Sequence, residues 1–357
     1  MSKHKNKKNK KTNIFPFVSL CTPTFNRRPF IPFLIKCFEH QTYPKDRIEW
    51  IIIDDGTDPI EDIIKDIPQV KYFYYNEKML LGKKRNLMHT KCSGDIIIYM
   101  DDDDYYPPER ISHAVETLQK NPQFLMAGSS EMHIYFDSKN TVYQCGPYKQ
   151  YHSTAATFAF KKELLSQTNY DDNLALAEEN KFTKGYTIPL IQLDSLKSIL
   201  VFSHKHNSLN KEKLLENPEQ TKTTLSPYNV DDFIKDPILK QFYMFDMNTL
   251  LENYKPGRPE NKPKLLEQIK KMEEERAKRL EDHNKMLQSQ QKLLSYNTER
   301  EYEKKLSDKN ILISELLKKI KQLTTEVNEL RNSTSTINTT STINATSTIN
   351  ATIKYIY

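Results

Sequence analysis

Short apolar runs alternate with helix-like segments between residues 14 and 136, and this alternation constrains the fold more than any other feature. The runs Ile48–Asp54 and Asp95–Met100 are almost continuously apolar, as strands buried on both faces of a sheet are. The segments between such runs, Pro29–His40 among them, have helical spacing. The order predicts βα units on a mostly parallel sheet flanked by helices. In such sheets the functional loops follow the carboxyl ends of the strands.

Composition divides the chain further. The predicted organisation is a disordered basic arm over 1–13, an α/β domain over 14–255, a linker over 256–263, a helical and coiled-coil segment over 264–331, and a low-complexity Ser/Thr/Asn/Ile tail over 332–357. The arm holds six lysines and no acid, which accounts for the whole formal net charge of +6. The remainder is neutral, which argues against specific nucleic-acid binding. The arm itself stays without a predicted role beyond a tether or localisation element.

Several classes of protein are excluded by simple patterns. The seven glycines form neither a dinucleotide fingerprint nor a P-loop. No apolar run reaches the length of a transmembrane segment, and the lysine-rich start does not have the pattern of a secretory signal, so a cytoplasmic location is predicted. The four cysteines lack CxxC spacing and are expected to be free thiols in a reducing compartment.

The last part of the helical segment contains a heptad repeat. Positions a are Leu306, Ile313, Ile320 and Val327, and positions d are Lys309, Leu316, Leu323 and Leu330. β-Branched residues at a with leucine at d favour a parallel two-stranded coiled coil, so a homo-oligomer through 306–330 is predicted. A trimer, a helix that packs back on its own domain and a solvated single helix remain open alternatives.

Four consecutive acids, Asp101–Asp104, directly follow a predicted buried strand. Adjacent carboxylates at a strand end repel one another unless a cation neutralises them. Oxygen ligands suit Mg²⁺ or Mn²⁺, and such ions usually complete their shell with substrate phosphates. The segment therefore predicts a metal site, with a solvated acidic turn as the structural alternative.

Two further segments lie where they could meet this acidic loop. Asp54 and Asp55 end another predicted strand and could accept hydrogen bonds from a ribose or a base, or simply form a turn at Gly56. Lys84, Arg85 and Asn86 begin a predicted helix, where cationic and amide donors suit a phosphate.

Together these motifs resemble family 2 glycosyltransferases with the GT-A fold. The resemblance spans roughly residues 15–210 and rests on Val18–Asn26, Ile52–Gly56, Gly82–Asn86 and Gly94–Asp104, which occur in the family's order. The Lys- and Asn-rich composition and the Thr/Asn repeats also resemble glycosyltransferases of giant DNA viruses. A viral enzyme would be located in the host cytoplasm or the virion.

The resemblance implies roles for individual residues. The expected nucleotide-sugar contacts are Pro23, Thr24, Phe25, Asn26, Asp54, Asp55, Lys84, Arg85, Asn86, Asp101 and Asp102. The Asp101-x-Asp103 frame matches the DxD motif, so Asp103, with help from Asp101, is expected to bind the metal, and His204 matches a late histidine that completes the site. Glu179 stands where the family has a catalytic aspartate, and its neighbour Glu178 is the other candidate base.

The predicted function is that of a metal-dependent, inverting glycosyltransferase that uses a nucleotide-diphosphate sugar, with UDP as the expected nucleotide and Mn²⁺ or Mg²⁺ as the cofactor. The acceptor would be the hydroxyl of a glycan, a protein or a lipid-linked molecule. Two alternatives from other classes are a nucleotidyltransferase on the same fold and a non-catalytic coiled-coil scaffold with a relic nucleotide site.

Overall fold

A computed structural model describes residues 15–334 of the chain, with side chains to 331. It contains two compact units, one that ends at Glu274 and one that begins at Glu275. The basic arm 1–13 and the tail beyond 334 lie outside the described residues.

The first unit is built on a seven-stranded sheet with the order β3-β2-β1-β4-β8-β5-β9. Its strands are β1 Val18–Thr24, β2 Ile48–Asp54, β3 Val70–Tyr74, β4 Ile96–Tyr99, β5 Met126–Gly128, β8 Ala159–Lys161 and β9 Leu190–Gln192. Strands β1 to β4 are parallel, whereas β8 runs antiparallel to both β4 and β5. The predicted mostly parallel α/β sheet is confirmed.

Helices cover this sheet. They are α1 Ile31–Glu39, α2 Glu61–Ile64, α3 Leu81–Lys91, α4 Arg110–Lys120 and α5 Glu178–Phe182. The central strands are buried on both faces: Leu20, Trp50 and Ile98 pack in one core, and Ile51 and Ile97 pack in the other. Two-sided burial is the physical reason why these strands have apolar residues on both faces.

A smaller sheet, with the order β10-β6-β7-β11, lies beside the first. Its strands are β6 Met132–Phe136, β7 Thr141–Cys145, β10 Leu200–Ser203 and β11 Thr223–Leu225. A bridge between Tyr105 and Leu200 ties the end of the acidic loop to β10, which is followed directly by His204. Short helices follow: α6 Lys213–Glu216, α7 Pro218–Thr221, α8 Val230–Phe233, α9 Pro237–Gln241 and α10 Met247–Asn253.

The predicted long C-terminal helix is present as α11, Pro263–Thr334. The first unit includes its opening turns, together with the segment 256–263 that composition alone predicts to be a linker. In the second unit the side chains of Leu306, Ile313, Ile320 and Leu323 are each more than half exposed. None of the helices between residues 15 and 334 has the length and apolarity to cross a membrane.

Candidate active site

A cavity of about 340 Å³ lies at the carboxyl ends of β1, β2 and β4. Nine of the residues predicted from the sequence line it: Pro23, Thr24, Phe25, Asp55, Lys84, Arg85, Asp101, Asp102 and Asp103. The sequence places these residues at strand ends and at the start of α3, and the parallel strands bring those ends to one edge of the sheet.

The two acids at the end of β2 have different roles. Both carboxylate oxygens of the fully buried Asp54 are occupied, one by the amide of Gly56 at 2.8 Å and the other by the hydroxyl of Tyr72 at 2.8 Å and the amide of Ile60. Asp54 therefore holds the loop after β2 and does not line the cavity. Asp55 lines it and pairs with the Lys84 ammonium at 2.5 Å.

The three consecutive acids of the cavity differ in charge environment. Burial, together with the negative charge of Asp103, raises the pKa of Asp101 and of Asp102, the latter to about 7. Burial acts in the same direction on Asp103, but the Arg27 guanidinium and the His204 imidazole outweigh it and hold the pKa of that carboxyl well below its ordinary value. Of these three carboxyls, Asp103 is therefore the one whose ionised form its surroundings favour.

Arg27 is a site residue that the sequence reasoning missed. Its Nη2 lies 3.2 Å from Asp103 Oδ2 and its Nε lies 3.6 Å from Asp102 Oδ1. Arg28, the next residue, instead pairs with Asp58 and Asp62 near the surface. Two adjacent arginines give no local signal that only the first faces the acids.

The predicted metal ligand His204 lies beside Asp103. Its Nε2 is 3.3 Å from Asp103 Oδ2 and 2.8 Å from the Asn207 amide nitrogen. Burial lowers the pKa of His204 to about 4, so the ring is neutral at physiological pH. A neutral imidazole is the form that binds metal ions.

The donor atoms near Asp103 suit a divalent cation. Asp101 and Asp103 both line the cavity, and a cation there would offset the burial and the repulsion by Asp103 that together raise the pKa of Asp101. Over residues 15–331 no three His, Cys, Asp or Glu side chains are grouped to hold a metal ion. One or two carboxylates, completed by phosphate oxygens, are the usual protein contribution to Mg²⁺ binding, and this site offers that set.

Arg85 connects the acidic cluster to α5. Its Nε donates to Glu178 Oε1 at 3.0 Å, and its Nη2 lies 3.5 Å from Asp101 Oδ1. The guanidinium also stacks over the ring of Tyr99, with 4.4 Å between its central carbon and the ring centroid. Its Nη1 is buried and finds no hydrogen-bond partner between residues 15 and 331. One donor of this buried cation therefore remains for a ligand.

We expect Arg85→Met to lower the free energy of unfolding by about 3–5 kcal/mol, because the substitution leaves the buried carboxylates of Glu178 and Asp101 without their cation. Urea unfolding followed by circular dichroism measures the change. Arg28→Met is the matched control, since it removes an ion pair near the surface and should cost no more than about 1 kcal/mol. Equal costs at the two positions would contradict the assigned contacts.

Besides Asp54, two of the predicted nucleotide contacts, Asn26 and Asn86, are not part of the cavity lining. The Asn26 side chain accepts from the amides of Thr57 and Asp58, so it fixes the loop after β2. The Asn86 amide donates to Asp172 Oδ1 at 2.6 Å and to the Tyr170 carbonyl, so it ties α3 to the segment before α5. The structure therefore gives both side chains contacts that hold loops and helices together.

The two candidate bases occupy the first turn of α5, outside the cavity lining. Glu178 is buried and accepts a hydrogen bond from Arg85. Burial, reinforced by the negative charge of Glu178, raises the pKa of Glu179 to about 7, while a hydrogen bond with Tyr186 favours its ionised form. Ala177 and Tyr186, on either side of the helix, have left-handed φ values of 50° and 62°. Backbone strain of this kind is concentrated at functional sites.

Residues 19–167 match the family model described as glycosyl transferase family 2. The chain carries a glycosyltransferase domain. The match begins in β1 and ends after β8, so it includes the acidic loop and the strand ends that form the cavity. The predicted glycosyltransferase resemblance is thereby confirmed for this part of the chain.

Curated relatives match the same region. The dolichyl N-acetyl-alpha-D-glucosaminyl phosphate 3-beta-D-2,3-diacetamido-2,3-dideoxy-beta-D-glucuronosyltransferase of Methanococcus voltae is 29% identical over 111 residues, which are 29% of this chain and 34% of that protein. The GalNAc(5)-diNAcBac-PP-undecaprenol beta-1,3-glucosyltransferase of Campylobacter jejuni is 32% identical, with the same coverage. The chain thus spans about a third of the length of these two relatives.

Solved structures show a more distant similarity to this chain. Residues 1–349 of TarS from S. aureus, in complex with UDP-GlcNAc, align with a TM-score of 0.45 and 19% identity over 52% of this chain and 58% of that one. The mannosyltransferase PcManGT from Pyrobaculum calidifontis, in complex with GDP-Man and Mn²⁺, has a TM-score of 0.45 and 16% identity over 68% and 72%.

Proposed function

We propose that this chain is a metal-dependent, inverting glycosyltransferase that transfers a sugar from a nucleotide-diphosphate sugar, with UDP as the expected nucleotide, to an acceptor hydroxyl. The observation that carries the proposal is the cavity at the strand ends of the region that matches the family model, which is lined by four carboxylates and several cations. Binding of the donor is assigned to Thr24, Asp55, Lys84 and Asp101, among others, in this cavity.

The assigned reaction is a single displacement. Glu179 removes the proton from the acceptor hydroxyl, whose oxygen bonds to the anomeric carbon while the bond from that carbon to the diphosphate oxygen breaks. The electron pair leaves with the diphosphate, and the configuration at the anomeric carbon inverts. Arg85 lies between Glu178 and Asp101 and contacts both carboxylates. These contacts fix the start of α5 relative to the acidic loop.

Asp103 and Asp101, with His204, would hold the Mn²⁺ or Mg²⁺ ion. When bound, such an ion supplies positive charge against the charge that develops on the departing diphosphate. The Arg27 guanidinium also places positive charge beside Asp103.

The products distinguish this proposal from the nucleotidyltransferase alternative. Incubation with UDP-, GDP- and other nucleotide sugars should release the nucleoside diphosphate, in an amount equal to the sugar transferred. Release of pyrophosphate from a nucleoside triphosphate and a sugar phosphate would favour the nucleotidyltransferase. A protein that binds nucleotide sugars without turning them over would favour the scaffold.

We expect kcat/KM to fall on the acid side of about pH 7. Because the pKa of Glu179 is raised, the group is protonated below that pH and cannot accept the acceptor proton. A pH profile of kcat/KM should show a tenfold decrease for each pH unit below the inflection. If the residual activity of Glu179→Gln has a pH profile of the same shape, the inflection belongs to another group and the assignment of Glu179 is wrong.

We further propose that 306–330 self-associates as a parallel two-stranded coiled coil, since exposed β-branched residues occupy its a positions. Ile313→Lys should convert a dimer into a monomer in sedimentation equilibrium. Ile311→Lys is the matched control, because Ile311 is as exposed as Ile313 (58% against 53%) but falls at position f, away from the seam. Monomeric wild-type protein, or equal effects of the two substitutions, would contradict the coil.

The acceptor class, the cytoplasmic location and a viral source are proposals that rest on the sequence. The relatives described above come from archaea and bacteria.

A further inference from the structure

Two lysines that played no part in the sequence predictions line the donor cavity. Lys78 Nζ lies 3.8 Å from the centroid of the Phe25 ring, and Lys262 Nζ lies 5.8 Å from the same centroid. Lys78 donates to the carbonyl of Asn261 at 2.7 Å, and Lys262 contacts the hydroxyl of Ser208 at 3.2 Å. In the described part of the chain neither lysine has a carboxylate within 4.0 Å, in contrast to Lys84.

Only Lys262 is enclosed, at 9% exposure, whereas Lys78 is an exposed residue where it lines the cavity. Burial lowers the pKa of Lys262 to about 7, and the nearby cation Arg27 acts in the same direction. A buried ammonium group without a counter-ion is costly, and an anion bound in the cavity would remove that cost.

The segment that carries Lys262 is fixed against the cavity rim. Asn26 Nδ2 donates to the carbonyl of Pro256 at 2.9 Å, and Arg27 Nη1 donates to that of Gly257 at 3.1 Å. A Cβ at Gly257 would lie 2.7 Å from the Asn26 carbonyl oxygen, so only glycine allows this approach. The predicted linker is therefore held by Asn26 and Arg27, which lie just after the end of β1.

The arrangement has the charges that a diphosphate requires. Asp101, Asp102 and Asp103 line the cavity together with Lys78 and Lys262. A diphosphate has enough oxygens to contact ammonium groups directly while others share a cation with the carboxylates. Lysine binds phosphate as a point charge and needs no planar geometry.

We propose that Lys78 and Lys262, with Ser208, form a subsite for the diphosphate of the nucleotide donor, so that the segment 256–265 is part of the donor site. This inference rests on the proposed function, because it names the residues that bind the donor's phosphates. It also assigns a role in donor binding to Lys262, the residue that immediately precedes the long helix α11.

Calorimetric titration of the full chain with UDP, GDP and UMP, without a metal ion, tests the subsite. Lys262→Ala and Lys78→Ala should each weaken binding of the preferred nucleoside diphosphate by about tenfold or more, the loss expected for one charged hydrogen bond. The same substitutions should weaken the binding of UMP less, because UMP lacks the second phosphate. Lys262→Arg should retain most of the affinity, which separates loss of charge from misfolding.

Lys205→Ala is the matched control, because Lys205 is exposed and pairs with Glu252 outside the cavity. Its affinity should equal that of the wild type. Unchanged affinity in both Lys78→Ala and Lys262→Ala, with a wild type that binds the diphosphate, would overturn the subsite alone. A wild type that binds no nucleoside diphosphate even with Mn²⁺ present would overturn the proposed function and the subsite together.

Discussion

Replacing Asp103 by asparagine should reduce kcat/KM for sugar transfer by about 10³-fold or more. The substitution removes the carboxylate whose ionised form Arg27 and His204 stabilise, and with it the main proposed site for a cation that offsets charge on the leaving diphosphate. It also leaves the guanidinium of Arg27 facing a neutral amide. Release of nucleoside diphosphate at saturating Mn²⁺ measures the loss.

Asp66→Asn controls for the removal of a carboxylate as such, since Asp66 is exposed on the same domain. It should leave kcat/KM within twofold of the wild type. The assignment also requires a weaker response to Mn²⁺: the titration midpoint of Asp103→Asn should move to a higher metal concentration. Full activity of Asp103→Asn at the wild-type midpoint would show that this carboxylate does not hold the cation.

The second large effect is expected for Glu179→Gln, which should lower kcat by about 10²- to 10⁴-fold while donor affinity stays constant. The amide preserves the shape of the side chain but cannot accept a proton from the acceptor, and general base catalysis contributes a factor of this size. Parallel measurement of kcat and of donor binding by calorimetry separates the two quantities.

Glu178→Gln should affect the stability of the protein and not the chemical step. Because Glu178 pairs with the buried Arg85, the substitution should lower the free energy of unfolding and affect kcat only through that loss of stability. The two glutamates, equivalent candidates in the sequence, are thus distinguished by their partners. A variant Glu178→Gln that folds with wild-type stability and has lost kcat would exchange their roles.

The acidic loop and the strand ends could be predicted because their signal is local. A buried strand must be apolar along its length, so the point where Ile96–Tyr99 gives way to Asp101–Asp103 marks its end in the sequence itself. The parallel arrangement then places that end beside the ends of β1 and β2. Local pattern and sheet topology together are sufficient to locate the cavity.

Side-chain direction was harder to predict. Lys84, Arg85 and Asn86 were all expected at the ligand, although successive residues of a helix point about 100° apart. In the structure Lys84 and Arg85 reach the cavity and Asn86 points to the segment before α5. Asp54 and Asp55 divide in the same way, because adjacent residues at a strand end point to opposite sides.

The contributions of Arg27 and Lys262 could not be predicted from local sequence. The hydrogen bonds that bring the segment 256–257 to residues 26 and 27 span 230 positions of the chain. Composition around Pro256, Gly257 and Pro259 indicates a linker, and nothing in that pattern shows that its carbonyls are held by the end of β1. Only the tertiary arrangement shows that Lys262, in this segment, lines the cavity.

The most direct test of the proposed donor site is a crystal structure of the full chain with the nucleoside diphosphate of its donor and Mn²⁺. We expect a manganese anomalous peak beside Asp103 and the diphosphate in the cavity between the carboxylates and Lys78 and Lys262. The nucleoside should contact the end of β1. A nucleotide bound elsewhere, or a manganese ion away from Asp103, would contradict the proposed donor site.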